Sequence, residues 1–439
     1  GKSVLIFSPV WPEHGSSAAG VRTAGIIRAL QGAGWQVGYA CAATPNQYTD
    51  ELRSRGVGTY RCPMNREAEI RAVVDAAAPK VCLFDRFLAE EAFSFHVQAA
   101  RPGAARVLDT QDLHFLRAAR QEAAKAGRSI EEIMAALPGA GYLPLQRELA
   151  AIHRSDVVIV CSPVEQRLLV ERYGIAESKV VLSSFYYEAE PDLDALPGFE
   201  GRKNFMTVGN FRHAPNEDAV RWLASSLWPK IREKLPEAEM HVYGAYPASK
   251  HYQLHNEKQG FHVLGPVDTL DCMNEYRACL APLRYGAGIK GKILDAWEHG
   301  LPVVTTPIGA EGLFRRPPFL HKLCQPVDPA LWGPWGGSWR ALCEDQLTED
   351  AVALYTDQAR WEAAQREGAS ILGGLFGRGE NEARLLEAME GCTGAALEER
   401  REGDYVGGLL WQQSCRATEF FSRWVELKEK GLGKAPPVP

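Results

Sequence analysis

Short apolar runs alternate along the chain with stretches in which apolar positions recur every three or four residues. Val4-Leu5-Ile6-Phe7 is apolar throughout, as in a strand buried on both faces. A loop rich in Gly, Ser and Ala, Gly15 to Gly20, follows it. The spacing then predicts a helix over 21–31, with Ile26, Ile27 and Leu30 on one face and Gly32 and Gly34 as stops. Further strands are predicted at 36–41, 81–84, 106–109, 157–160 and 180–182, with helices between them. This alternation predicts βαβ units and a mostly parallel sheet.

The rhythm breaks at 188–202, EAEPDLDALPGFEGR, where prolines, glycines and acids predict a linker. It then restarts, with strands predicted at 204–208, 239–243, 261–264, 278–281 and 302–305 and helices at 216–233 and 290–299. The chain therefore reads as two similar α/β halves: residues 1–190, a linker at 191–201, and residues 202–378. A helical tail, 379–439, carries a stripe of Leu410, Trp411, Phe420, Phe421, Trp424 and Leu427 that is expected to pack back on the body.

A length of 439 residues favours two cores over one. Hydrophobic residues make up 46% and charged residues 24%, the balance of a globular chain. The net charge of -6 gives no basic bias toward nucleic acid. Cysteines such as Cys41, Cys62, Cys82, Cys161 and Cys272 stand singly, without zinc-ligand spacing, so buried free thiols in a reducing compartment are expected. No apolar run reaches the roughly 20 residues of a membrane span. The cytoplasm, or the cytosolic face of a membrane, is the expected place. The start at Gly1-Lys2 leaves room for a removed leader or anchor.

Chemistry concentrates in 281–312, APLRYGAGIKGKILDAWEHGLPVVTTPIGAEG. A strand ends at Ala281, a glycine-rich turn follows (Gly286-Ala287-Gly288), and a helix begins near Ile289 or Lys290. Helix starts present free N–H groups and a positive dipole end, which suit phosphate. Lys290 and Lys292 oppose that dipole unless an anion sits there. Asp295 stands near enough to accept hydrogen bonds from a sugar diol. In open parallel sheets such loops at the strands' carboxyl ends are where ligands bind.

This segment resembles the donor site of the retaining glycosyltransferases of family 4, the glycosyl transferases group 1. Asp295-Ala296, Gly300-Leu301-Pro302-Val303-Val304 and Ile308-Gly309-Ala310-Glu311-Gly312 match the family's "EA..GLPVV" context. The resemblance implies the GT-B fold, an α/β architecture of two Rossmann-like doubly wound parallel-sheet domains facing a cleft. It also implies that Asp295 binds the ribose hydroxyls and that the 309–312 run lies at the donor. The family's first acid is replaced by Ala287. Pyrophosphate binding therefore falls to Lys290, Lys292 and the amides of Gly286, Ala287, Gly288 and Ile289. Val208-Gly209-Asn210-Phe211-Arg212-His213, before a helix capped by Asn216, matches the loop where the family places a phosphate-binding arginine. Arg212 takes that role, since a guanidinium grips phosphate with two donors, and Gly209 and Asn210 shape the loop.

In the first half the loop ending at Gly20 occupies the place of a donor-facing glycine loop. A plain strand–helix turn explains it equally well. Phe84-Asp85-Arg86-Phe87 with Glu90-Glu91, and Leu108-Asp109-Thr110-Gln111-Asp112-Leu113-His114, resemble a subgroup of the family. Many relatives carry a His-Asp pair there that touches the sugar. Here Asp112, with His114 second, takes that place, although Asp112 could instead cap the next helix. The expected reaction moves a sugar from a nucleoside-diphosphate donor, UDP favoured over GDP, to a glycan, glycolipid, protein or small-molecule acceptor. Retention of configuration, and charge stabilisation without metal or other cofactor, are implied. A nucleotide-sugar epimerase or hydrolase, and a catalytically quiet binding subunit, are the competing readings.

Overall fold

The computed structural model describes residues 1–314 and 334–430. Two parallel sheets carry it. In the first, β1 (Ser3–Ser8), β2 (Gln36–Cys41), β3 (Gly58–Arg61), β4 (Val81–Asp85), β5 (Ala105–Asp109), β6 (Val157–Val160) and β7 (Val180–Leu182) stand in the order β3-β2-β1-β4-β5-β6-β7. In the second, β8 (Lys203–Val208), β9 (Met240–Tyr243), β10 (Phe261–Gly265), β11 (Tyr276–Ala281), β12 (Val303–Thr305) and β13 (Gly337–Ser338) stand in the order β10-β9-β8-β11-β12-β13. Both orders reverse direction beside their first strand, as in doubly wound folds.

Side chains alternate across a strand, so β1 feeds two cores. Leu5 and Phe7 join Phe84, Phe93 and Leu108 on one face, while Val4 and Ile6 join Ile26, Leu30 and Ile159 on the other. The second half encloses one large cluster, with Trp228, Trp297 and Trp361 almost fully buried. The thiols of Cys41, Cys62, Cys82 and Cys161 are free and buried, and that of Cys272 is free and half-buried.

The structure moves several expected boundaries. The first helix begins at Ala18 rather than Val21, because the Ser17 hydroxyl caps it by accepting from the Gly20 amide at 3.0 Å. The helix expected at 216–233 begins at Ala214, with His213 at its cap and Pro215 in its first turn. Asn216 is therefore not the cap; its side chain donates to the Asn210 carbonyl at 3.1 Å. Strands β3 and β13 escaped notice because they are short edge strands lacking apolar runs.

The chain crosses back after the second sheet. In helix Arg378–Glu390, Leu385 and Met389 enter the first half's core, and Asn381 bonds Ser183 and Ser184. In helix Tyr405–Glu429, the Trp411 indole donates to the Arg154 carbonyl at 2.9 Å under the Arg106 guanidinium. Further along, Phe420 and Phe421 are each 63% exposed, so the stripe's distal half does not pack as expected. Residues 431–439 of the expected tail lie outside the described residues. Among the described residues no helix is long and apolar enough to cross a membrane.

Candidate active site

A cavity of about 630 Å3 lies between the carboxyl ends of the two sheets. Its walls are the loops after β1, β4, β5 and β6 on one side and those after β8, β9, β10 and β11 on the other. The structure brings Asp112, His114, Gly209, Asn210, Arg212, Gly286, Ala287, Ile289, Lys290, Lys292 and Asp295 to this one space.

Helix Gly291–Glu298 starts at the cavity wall with no side-chain cap. The Gly288 amide, expected to bind pyrophosphate, is already used: it donates to Glu165 Oε1 at 2.8 Å. Among the described residues the amides of Gly291 and Lys292 keep no protein partner, so the free donors of this helix start, the kind that suit an anion, lie in its first turn. Gly288 adopts φ +65°, and a Cβ there would stand 2.8 Å from the Asp112 Cβ, so the two halves meet at this glycine. Lys290 Nζ donates to the Gly288 carbonyl at 2.8 Å. Burial pushes its pKa down, against the pull of Glu311. Lys292 has no hydrogen bond or ion pair among the described residues, and burial pushes it down to about 8. Its ammonium lies where a Cβ on Gly209 would come within 2.9 Å, so glycine at 209 lets the two loops close on the same point.

Asp295 accepts a 2.9 Å hydrogen bond from the Tyr187 hydroxyl, and burial raises its pKa to about 7. Arg212 lies at the mouth, its guanidinium 3.7 Å from the centre of the Tyr246 ring. Asn210 builds the loop beneath it: Oδ1 accepts from the Arg212 amide at 2.8 Å.

Asp112 does not cap the following helix. That helix, His114–Lys125, is capped in trans: the buried Glu148 accepts from the amides of His114 and Phe115 at 3.1 and 2.8 Å. Asp112 instead binds Arg117 Nε at 2.6 Å, with His114 Nε2 3.3 Å from its other oxygen. Burial works to raise its pKa, but Arg117 and His114 outweigh that and hold it well below the usual carboxylate range. An ionised carboxylate thus faces the cavity.

Six expected site residues stand behind the cavity wall rather than on it. Gly20 lies inside the first helix, where a Cβ would strike the Glu13 carbonyl at 2.4 Å. Gly288 lies against the first half, as described above. Gly309, Ala310, Glu311 and Gly312 are buried: the Gly309 amide is used by the Thr306 hydroxyl, and Ala310 donates to the Thr306 carbonyl. Glu311 is 1% exposed and binds Arg120 through both oxygens at 2.7 and 2.8 Å, while Arg120 also donates to the Gly286 carbonyl at 2.8 Å. This buried pair crosses from one half to the other and holds the glycine turn from behind.

Sequence reasoning missed Arg86 and Arg117, which line the cavity, and Tyr187, Glu165 and Arg120, which hold its walls. Arg86 stands inside one of the first-half motifs already singled out and Arg117 three residues beyond the other, so cation density there was the available signal. In the Glu90-Glu91 pair, Glu90 is buried on Arg154 and Glu91 binds Arg147 at 3.0 Å; both are structural.

Residues 202–320 match the model of a family described as glycosyl transferases group 1. The chain also shares its fold with solved structures across most of their length. A sucrose-phosphate synthase from Thermosynechococcus elongatus is 16% identical, over 89% of this chain and 98% of that one, with TM-score 0.61. HepE of Anabaena, solved with UDP and glucose, is 11% identical over 89% and 100%, with TM-score 0.62. A Listeria monocytogenes protein assigned as a UDP-N-acetylglucosamine 2-epimerase is 12% identical over 89% and 96%, with TM-score 0.52. No curated protein sequence matches the chain. The fold is GT-B. Family match and architecture together support a GT-B glycosyltransferase.

Proposed function

We propose that the protein transfers a sugar from a nucleoside-diphosphate sugar, UDP in preference to GDP, to an acceptor with retention of anomeric configuration. One observation carries this reading. The uncapped helix start at Gly291, the Lys292 ammonium and the loop 208–213 converge on one cavity within the segment that matches glycosyl transferases group 1. Departure of a nucleoside diphosphate builds negative charge on phosphate oxygens, and donors fixed beforehand at that point lower the barrier most. Lys292, the Gly291 and Lys292 amides and Arg212 fill this role with side-chain and backbone charge in place of a metal ion. Asp295 takes the ribose hydroxyls.

Asp112, ionised and held by Arg117, faces the space a transferred sugar would occupy. On the retaining route the acceptor attacks from the face the diphosphate leaves, and the leaving phosphate oxygen takes the acceptor's proton. The UDP preference is supported by the UDP-bound structure of HepE on the same fold. The shared fold of the Listeria epimerase keeps a second reading in view: conversion or hydrolysis of the donor with no acceptor.

Thermal-shift screening against UDP- and GDP-sugars tests the first step, because a ligand specific to the folded state raises stability by mass action. A shift with UDP-sugars, followed by an acceptor-dependent product whose anomeric proton keeps the donor's configuration, is the expected result. Donor converted without acceptor would replace transfer by the epimerase or hydrolase reading. No shift with any nucleotide sugar would remove the proposal.

A further inference from the structure

On the half-exposed face of the second sheet, away from the groups used above, three side chains converge. His241 of β9 and His262 of β10 are register partners on adjacent parallel strands. Glu239, two residues before His241, projects to the same side. Glu239 Oε2 lies 3.0 Å from His241 Nε2, and Oε1 lies 3.7 Å from His262 Nε2. One ligand-type atom from each of the three lies within 4.8 Å of the others. Tetrahedral zinc bound to nitrogen and oxygen at about 2.0–2.2 Å sets its ligand atoms about 3.4 Å apart, so small side-chain rotations suffice.

His262 Nε2 is buried and has no hydrogen-bond partner among the described residues, a costly state for an imidazole nitrogen aimed at a carboxylate. His241 Nδ1 lies 2.7 Å from the Tyr276 hydroxyl, which in turn lies 2.7 Å from that of Tyr243. Such an outer hydrogen bond fixes a ligating imidazole's tautomer and orientation. The His255 ring packs edge-on over His262, at 5.3 Å between centroids. Its Nδ1 accepts from the Val263 amide at 3.2 Å, so it walls the cluster rather than joining it.

We infer that Glu239, His241 and His262 form a divalent transition-metal site suited to Zn2+, with the fourth position left to water. With metal bound, His241 donates from Nδ1 to Tyr276 and gives its Nε2 lone pair to the ion. His262 Nε2 gains the partner it lacks. One imidazole from each strand then clips edge strand β10 to β9. Strand β9 leads directly to Gly244 and Ala245 on the cavity wall, so the clip steadies the base of that wall. The donor reading above is not required for this site.

Full-length protein stripped with a chelator is titrated with Zn2+ by calorimetry and with Co2+ by visible absorption, beside Glu239→Gln and His262→Gln. The expected result is a saturable site whose Co2+ complex shows four-coordinate bands and whose Zn2+ raises the melting temperature. Each variant should lose about tenfold or more in affinity and lose that rise, with metal-free melting unchanged. If His262→Gln melts lower without metal, Glu239→Gln decides alone, because the Glu239 side chain is 43% exposed and not needed for packing. Absence of saturable binding, or variants that bind as the parent does, would overturn the site and leave a hydrogen-bonded cluster.

Discussion

Lys292→Met separates what this lysine does for function from what it does to the fold. A pKa lowered from 10.5 to about 8 by burial means that holding the protonated lysine in the folded protein costs about 3 kcal/mol. The sign follows from proton counts. Between pH 8 and 10.5 the unfolded chain binds the proton more tightly, so stability rises with pH across that window. At pH 7 the full cost is present. Methionine keeps much of the stem and removes the charge, so the ligand-free variant should be more stable than the parent at pH 7, by up to about 3 kcal/mol. Near pH 10 the gap should shrink, because the parent lysine is by then largely neutral. Turnover should move the other way: loss of one preorganised donor to the developing phosphate charge costs about 2.7–4 kcal/mol, a factor of about 10²–10³ in kcat. Scanning calorimetry at pH 7 and pH 10, with initial rates on a saturating nucleotide sugar, measures both. A variant that turns over within threefold of the parent, or that melts lower at pH 7, would refute the placement of this ammonium at the pyrophosphate.

Gly209→Val sets methyl groups against Lys292 Nζ and the Asn216 amide, 2.9 and 2.7 Å from an added Cβ. Overpacking should cost about 1–3 kcal/mol in unfolding, and the displaced Lys292 should raise donor KM as well; denaturant titration and initial rates read the two, and an unchanged KM would separate Gly209 from the donor. Tyr187→Phe removes the hydroxyl that holds down the Asp295 pKa, so that pKa should rise above about 7. Nucleotide affinity at pH 7 should then fall and recover as pH rises; calorimetric Kd against pH reads this, and an unchanged profile would separate Asp295 from the nucleotide. Glu311→Gln leaves the Arg120 charge buried without its carboxylate, at a cost of about 3–5 kcal/mol in unfolding. The double variant with Arg120→Met should recover part of that loss, and strict additivity in the cycle would deny the coupling.

The parallel strands were legible because burial on both faces writes near-continuous apolar runs, as in Val4–Phe7 and Val157–Val160, punctuated by glycine. The candidate donor corner was legible as a cluster because its parts are neighbours in sequence: glycines, lysines and an acid within ten positions, at one strand's end. What failed to show were partners brought together by the fold. Glu148 caps a helix that begins 34 residues earlier, so local spacing offered Asp112 as the cap. Glu239, His241 and His262 meet only because β9 and β10 run side by side, 21 residues apart at their register pair, far from any short metal-ligand spacing.

The same limit explains the Glu311 assignment and gives it a different meaning. Its resemblance to the family's motif pointed to the donor, and it acts on the glycine turn at 286–288 through Arg120. The Arg120 guanidinium reaches across the cleft from the first half, takes Glu311 with one edge, and holds the Gly286 carbonyl from the same Nη1. Glu165, also from the first half, takes the Gly288 amide. Both ends of the glycine turn are thus fixed by side chains of the opposite half. Contact between the two halves therefore helps to set the shape of this turn. Ala287, where the resemblance implies the family's first acid, lies between these two anchors. A carboxylate there would stand one residue from Gly288, which itself meets both Glu165 and Asp112, and like charges in low dielectric repel strongly. Alanine at 287 is therefore the choice consistent with the acids already supplied by the first half.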